Sequence, residues 1–174
     1  MLNLPKKFLI MLVGLPCTGK STFRQRLKQD FEFLTISSDD YIESWGRAKG
    51  KTYSEVFPDY VKDATHRIEE DARVAKIKEL DVVWDQTNLT VSKRKKILDK
   101  FDNYVKICVH FEIDVHLEWM RRLYRRAGEE GKYIPFHVLE SMDRSSEYPQ
   151  YSEGFDWIVD DEDFRADFVK ELIK

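Results

Sequence analysis

Short apolar runs alternate with stretches of helical spacing along the whole chain. Residues 7–13 form a continuous apolar run, the pattern of a strand buried on both faces. Residues 18–29 carry a helical pattern, and 33–36 read as a second short strand. Over 53–80 the positions Val56, Tyr60, Ala64, Ile68, Ala72 and Ala75 fall at helical spacing, with an interruption expected near Pro58. A third strand is expected at 81–85 around Val82 and Val83, then a basic helix over 92–101 whose apolar face includes Ile97 and Leu98. A fourth strand follows at 104–112. Helices at 115–126 and 136–144 flank a charged, glycine-containing segment at 127–135, and a short strand at 157–159 precedes a last helix at 163–173. Such alternation implies a parallel sheet covered on both faces. Ligands of these sheets bind beyond the carboxyl ends of the strands.

The first strand runs into Gly14-x-x-x-x-Gly19-Lys20-Ser21, followed by Thr22, which matches the phosphate-loop template at every fixed position. Small residues let successive backbone N–H groups curl around phosphate oxygens, and the helix that begins there adds the positive end of its dipole. Lys20 can reach the β- and γ-phosphates, and the Ser21 hydroxyl can ligate Mg²⁺. The expected nucleotide-binding set is Gly14, Pro16, Cys17, Thr18, Gly19, Lys20, Ser21 and Thr22.

Two carboxylate elements share that edge. Asp39 and Asp40 follow the second strand, where a carboxylate can orient an incoming hydroxyl and take its proton late in the transfer. Ser and Asp are also favoured helix caps, so one of the pair can cap while the other acts. Asp85 ends the third strand, where an acidic residue holds a water on phosphate-bound Mg²⁺. Thr87 and Asn88 beside it can equally begin a turn.

The basic residues gather in two places. Arg121, Arg122, Arg125 and Arg126 occupy one helix, with Arg122 and Arg126 four apart on one face and a mobile, glycine-containing segment expected next. The arrangement reads as a lid that brings guanidinium groups over the transferring phosphate, with two of the four expected on a solvated face. Lys93-Arg94-Lys95-Lys96 reads either as a phosphate-backbone contact or as a solvated helix face.

Composition narrows the classes. The 174 residues are 42% hydrophobic and 35% charged, which fits one well-solvated globular domain with a real core. With 29 basic against 32 acidic residues and a net charge of −3, the chain does not coat nucleic acid through overall charge, although a local basic channel stays open. The two cysteines, Cys17 and Cys108, form no framework and suit a reducing compartment, with Cys108 expected in ordinary core packing. The basic and apolar start resembles a secretory signal, but the apolar run is too short to span a membrane and feeds directly into the phosphate loop. A cytoplasmic protein with no membrane partner is expected. The pattern fixes no oligomeric state, and the aromatics between Tyr148 and Tyr151 read equally as core, acceptor platform or interface.

Taken together, these motifs resemble the polynucleotide 5′-hydroxyl kinase family, the kinase domain of phage and bacterial end-healing enzymes. The likeness covers the phosphate loop, Ser38-Asp39-Asp40-Tyr41, and Asp85-Gln86-Thr87-Asn88-Leu89 with Lys93-Arg94. It resumes at the arginine helix, continues through Ile134-Pro135-Phe136 with Val138-Leu139, and ends at Glu153-Gly154-Phe155-Asp156. The resemblance implies an α/β P-loop kinase fold with a central parallel sheet of four to five strands, helices on both faces and a helical lid at about residues 117–145 of a single domain spanning 1–174. It implies ATP or another NTP with Mg²⁺ as cofactors and the 5′-hydroxyl of a DNA or RNA end as acceptor.

By the same resemblance Asp39 is the general base, Lys20 and Ser21 serve the phosphates and metal, and Asp85 is a supporting acid. Arg126, with Arg122 beside it, contacts the donor phosphates. One position departs: where the phage-type pattern has an acceptor-binding arginine just after Asp-Asp-Tyr, this chain has Ile42, with Arg47 or Lys49 as the nearest substitutes. No phosphatase or ligase signature is present, so the sequence reads as a kinase module alone or one cut from a longer enzyme. Three functions follow in order: a polynucleotide 5′-hydroxyl kinase, a kinase of a small acceptor such as a nucleoside, sugar or antibiotic, and a nucleotide-dependent binding module in which Asp39 is incidental.

Overall fold

A computed structural model describes residues 6–113 and 115–174. Five strands, β1 (Phe8–Val13), β2 (Leu34–Ile36), β3 (Val82–Asp85), β4 (Val105–His110) and β5 (Trp157–Asp160), form one sheet in the order β2-β3-β1-β4-β5. All four pairings are parallel. Every residue of β1 is buried, because its side chains alternate between two apolar layers. Leu9, Met11 and Val13 pack with Trp84, Phe101 and Cys108 under α3 (Tyr53–Ile77) and α4 (Val91–Leu98). Phe8, Ile10 and Leu12 face the other way, against Leu27 of α1 (Lys20–Leu27) and Val169 of α7 (Ala166–Leu172). This is the α/β P-loop kinase fold.

Two smaller clusters lie outside the sheet layers. Ile42 of α2 (Ser38–Ala48) packs with Val56 and Ala64 of α3. Trp119 of α5 (His116–Glu129) and Leu139 of α6 (Phe136–Arg144) close over Leu15 and Leu89. The second cluster seats the α5–α6 segment beside the phosphate loop.

Three sequence expectations need correction. Helix α3 runs without a break through Pro58. The proline sits in the second turn on the exposed side, where water can satisfy the carbonyl it leaves unpaired. Helix α5 continues through Gly128 to Glu129. Neither Asp39 nor Asp40 caps α2: Ser37 does so, accepting the amide of Asp40 at 3.3 Å, and both aspartates stand in the first turn.

The basic run on α4 also divides. Lys93, Lys95 and Lys96 are exposed, but Arg94 is fully buried. Its guanidinium donates to both carboxylate oxygens of Glu153 at 2.7 and 2.8 Å and to the carbonyls of Asn88, Leu89 and Glu147. Arg94 is therefore an internal strut and no phosphate contact. Cys108 is completely buried, as expected, and burial pushes its thiol well above the ordinary range. Among the described residues, no helix is long and apolar enough to cross a membrane.

Candidate active site

The loop that follows β1 is pinned from beneath. The Gly14 amide donates to the Thr87 carbonyl at 3.0 Å, and the Asn88 side chain donates to the Leu12 carbonyl at 2.8 Å. Asn88 thus ties the turn after β3 to the end of β1, a role beyond simple turn formation. A Cβ at Gly14 would meet the Phe111 carbonyl oxygen at 2.7 Å, so glycine alone fits there. Thr18 closes the loop internally through its hydroxyl on the Leu15 carbonyl, and Trp119 holds it from α5 by donating to the Pro16 carbonyl at 2.7 Å.

The loop presents two features suited to an anion. Gly19, in the left-handed region, precedes α1 and supplies no side-chain cap, which among the described residues leaves the amides of the first turn uncapped, where Ser21 and Thr22 are exposed. Lys20 is buried, and its ammonium donates to the carbonyls of Gly14 at 2.7 Å and Leu15 at 2.5 Å. Burial lowers its pKa to about 8, with Asp85 the main opposing charge.

Asp85, at the end of β3, is buried. Its carboxylate lies 3.1 Å from the Arg24 guanidinium, which also reaches Asp40 at 2.9 Å. Burial raises the Asp85 carboxyl above its ordinary value, against the pull of Arg24 and Lys20. Sequence reasoning missed Arg24. Its place four residues beyond Lys20, on the same face of α1, was the available signal.

Asp39 and Asp40 diverge around the first turn of α2. Asp40 joins Arg24 and Ser37. Asp39 turns toward α3 and the segment after α5: one carboxylate oxygen accepts the Tyr53 hydroxyl at 2.8 Å, and the other the Lys132 ammonium at 2.5 Å. Partial burial pushes the Asp39 carboxyl up, but Lys132 and Tyr53 outweigh it and hold the group below the usual carboxylate range.

The arginine helix delivers one of its four cations. Arg126 lies 3.9 Å from Cys17 Sγ, bonds Glu130 at 2.8 Å and approaches Glu43 at 3.5 Å. Arg121, Arg122 and Arg125 are exposed. Arg122 makes no hydrogen bond or ion pair among the described residues. Trp119 and Leu123 pack inward and Arg126 continues their face, while Arg122, one turn before Arg126, stays exposed.

The glycine-containing segment, expected to be mobile, is docked instead. Gly131 sits so close to Thr52 that a Cβ would meet its side chain at 2.4 Å, and its carbonyl accepts the Ser54 amide at 3.1 Å. The docked segment helps enclose a hollow of about 370 Å³ lined by Glu43, Arg47, Lys51, Thr52, Tyr53, Glu130 and Lys132, so the two partners of Asp39 border it and Asp39 itself does not. Ile42 is core, so the missing acceptor-binding arginine has no replacement at that position. Arg47 borders the hollow, whereas Lys49 lies over the Tyr60 ring at 4.9 Å. Tyr148 and Tyr151 are exposed and border a separate hollow of about 530 Å³.

The residues fit a nucleotide with Mg²⁺. The α1 amides and the Lys20 ammonium suit phosphate, and the Ser21 hydroxyl with the Asp85 carboxylate are the hard oxygen donors that Mg²⁺ prefers. Among the described residues no cluster of three or more His, Cys, Asp or Glu side chains forms a separate metal site.

The profile of a family described as an AAA domain matches residues 9–149. L-seryl-tRNA(Sec) kinase of Methanococcus maripaludis is 25% identical over 154 residues, covering 85% of this chain and 56% of its own length. The chain thus spans little more than half of that curated relative. Among solved structures, a chain of the Pnkp1/Rnl/Hen1 RNA repair complex aligns with a TM-score of 0.65 at 22% identity, over 81% of this chain and 44% of its own. A sugar kinase from Janibacter sp. HTCC2649 aligns with a TM-score of 0.60 at 14% identity, over 95% of this chain and 91% of its own.

Proposed function

The chain belongs to the AAA domain family, and from that membership we propose that it is an ATP-dependent phosphotransferase acting on a hydroxyl of a small acceptor. The observation that carries the reading is Asp39, held by both oxygens at the strand edge that also carries the phosphate loop, by partners, Tyr53 and Lys132, that border a hollow of small-molecule size. Buried Ile42 and the internal engagement of Arg94 favour a small acceptor over a polymer, since each removes a cation that a phosphate backbone would use. Sugar kinases of this fold are consistent with it.

MgATP, when bound, supplies the transferable phosphoryl group. Lys20 and the amides after Gly19 hold the phosphates, and Arg126 adds a cation on the facing wall through its position at Cys17. Ser21 and Asp85 would hold the metal or its water. Asp39, ionised at neutral pH, orients the acceptor hydroxyl and takes its proton late. A second reading, transfer to the 5′-hydroxyl of a polynucleotide end, is supported by the joint placement of Asp39 and the Asp85–Asn88 turn at one edge.

Asp39→Asn separates binding from transfer. Acceptor-dependent turnover should fall by about 10²–10⁴-fold, while calorimetry should find MgATP affinity within about threefold of wild type. Wild-type turnover in the variant would leave Asp39 incidental and favour a nucleotide-dependent binding module.

A further inference from the structure

Lys132 is among the few charged side chains of the described residues that are almost wholly buried, and sequence reasoning gave it no role. Its ammonium lies within 2.5 Å of one Asp39 carboxylate oxygen, 3.1 Å from Glu43 and 4.2 Å from the centre of the Tyr53 ring. A buried lysine needs such partners, because an unpaired charge there is costly. Glu43 alone could pair with it, so the contact to Asp39 goes beyond what burial requires.

The chain carries Lys132 six residues beyond Arg126. The Lys132 amide bonds the Arg126 carbonyl at 3.2 Å, and the segment between them is seated on Thr52 and Ser54 at the start of α3. One docked segment thus sets a cation against the phosphate loop and another against the acceptor-side carboxylate.

We propose that Lys132 is a positioning residue for phosphoryl transfer: it fixes the direction of the Asp39 carboxylate and makes that direction depend on the seating of the segment that also carries Arg126. The proposal rests on the reading of Asp39 as the acceptor-side base. With Tyr53 on one oxygen and Lys132 on the other, the carboxylate cannot rotate, and an acceptor hydroxyl meets it in a single orientation. The charged and titratable groups around Asp39 are Lys132 from the segment after α5, Tyr53 from α3, Glu43 from α2, Arg126 from α5, Lys20 from α1 and Asp85 from β3. Of the cations, Lys132 has the largest influence on the Asp39 carboxyl.

The test reads Asp39 directly. Its carboxyl ¹³C shift is titrated in wild type and in Lys132→Met, and transfer is measured with the best acceptor from a panel. The ammonium favours the ionised carboxylate, so its removal moves the Asp39 midpoint upward and the acidic limb of the kcat profile to higher pH. kcat should fall about thirty- to hundredfold with KM for ATP within about twofold. An unmoved midpoint together with wild-type kcat overturns the proposal, and so does a loss confined to melting temperature.

Should Lys132→Met not fold, Lys132→Arg carries the test. That variant keeps the charge and changes its geometry, so the midpoint should stay below the ordinary carboxylate range while kcat falls. Wild-type kcat with an ordinary midpoint overturns the proposal. Wild-type transfer in Asp39→Asn overturns the reading of Asp39 itself. Transfer lost in Asp39→Asn but unchanged in Lys132→Met, with an unmoved midpoint, overturns only the role of Lys132.

Discussion

Lys20→Met is expected to lower phosphoryl transfer, measured as kcat/KM for ATP, by about 10³-fold or more, or roughly 4 kcal/mol of transition-state stabilisation. Methionine keeps the length and apolar stem that the buried position needs, so the loop should retain its shape. What it removes is the one ammonium held inside the loop, now bonded to the Gly14 and Leu15 carbonyls. A transferring phosphoryl group spreads negative charge over its oxygens, and a desolvated, pre-placed cation stabilises that charge more than water can. Unchanged melting with a thousandfold loss of transfer supports the assignment. Near wild-type transfer would place the nucleotide elsewhere.

The largest expected effect on stability lies away from the loop. Glu153→Ala should cost about 3–5 kcal/mol in denaturant unfolding, a large share of the roughly 5–15 kcal/mol that holds most domains together. The substitution leaves the fully buried Arg94 guanidinium without its bidentate partner. Replacing both residues by apolar ones often restores stability at a buried ion pair. It should not do so here, because Arg94 also serves the carbonyls of Asn88, Leu89 and Glu147, which an apolar side chain would orphan. Asn88 ties the turn after β3 to β1, so the loss should extend to nucleotide affinity. Recovery of full stability in Arg94→Met/Glu153→Met would show that those carbonyl contacts are dispensable.

What the sequence made legible were features written in local pattern. The all-apolar β1, the glycine spacing of the loop and the helical spacing of α3 each follow from short-range rules, and the parallel sheet follows from their alternation. Helix α2 was not assigned because Ser38–Ala48 is polar on most of its surface and buries only Ile42 and Gly46. Arg94 read as one of four basic residues, since its burial is decided by Glu153, a partner 59 positions away. Lys132 was invisible for the same reason, and Arg24 offered only its four-residue spacing from Lys20. An isolated cation in a charged stretch carries no mark of the carboxylates it will meet, and here the folded chain brings Asp39 to one and Asp85 to the other. The four-residue spacing of Arg122 and Arg126 was legible, but not that the packing of Trp119 and Leu123 brings Arg126 to Cys17 and leaves Arg122 exposed.

The most direct test of the central claim is transfer of label from γ-labelled ATP with Mg²⁺. The acceptors are a panel of small hydroxyl compounds (sugars, nucleosides and hydroxy acids) set beside a 5′-hydroxyl oligonucleotide, with wild type and Asp39→Ala compared. A labelled phosphomonoester on a small acceptor, absent with Asp39→Ala, is the predicted result. Label on the oligonucleotide end alone, or only free phosphate released equally by both proteins, would contradict it.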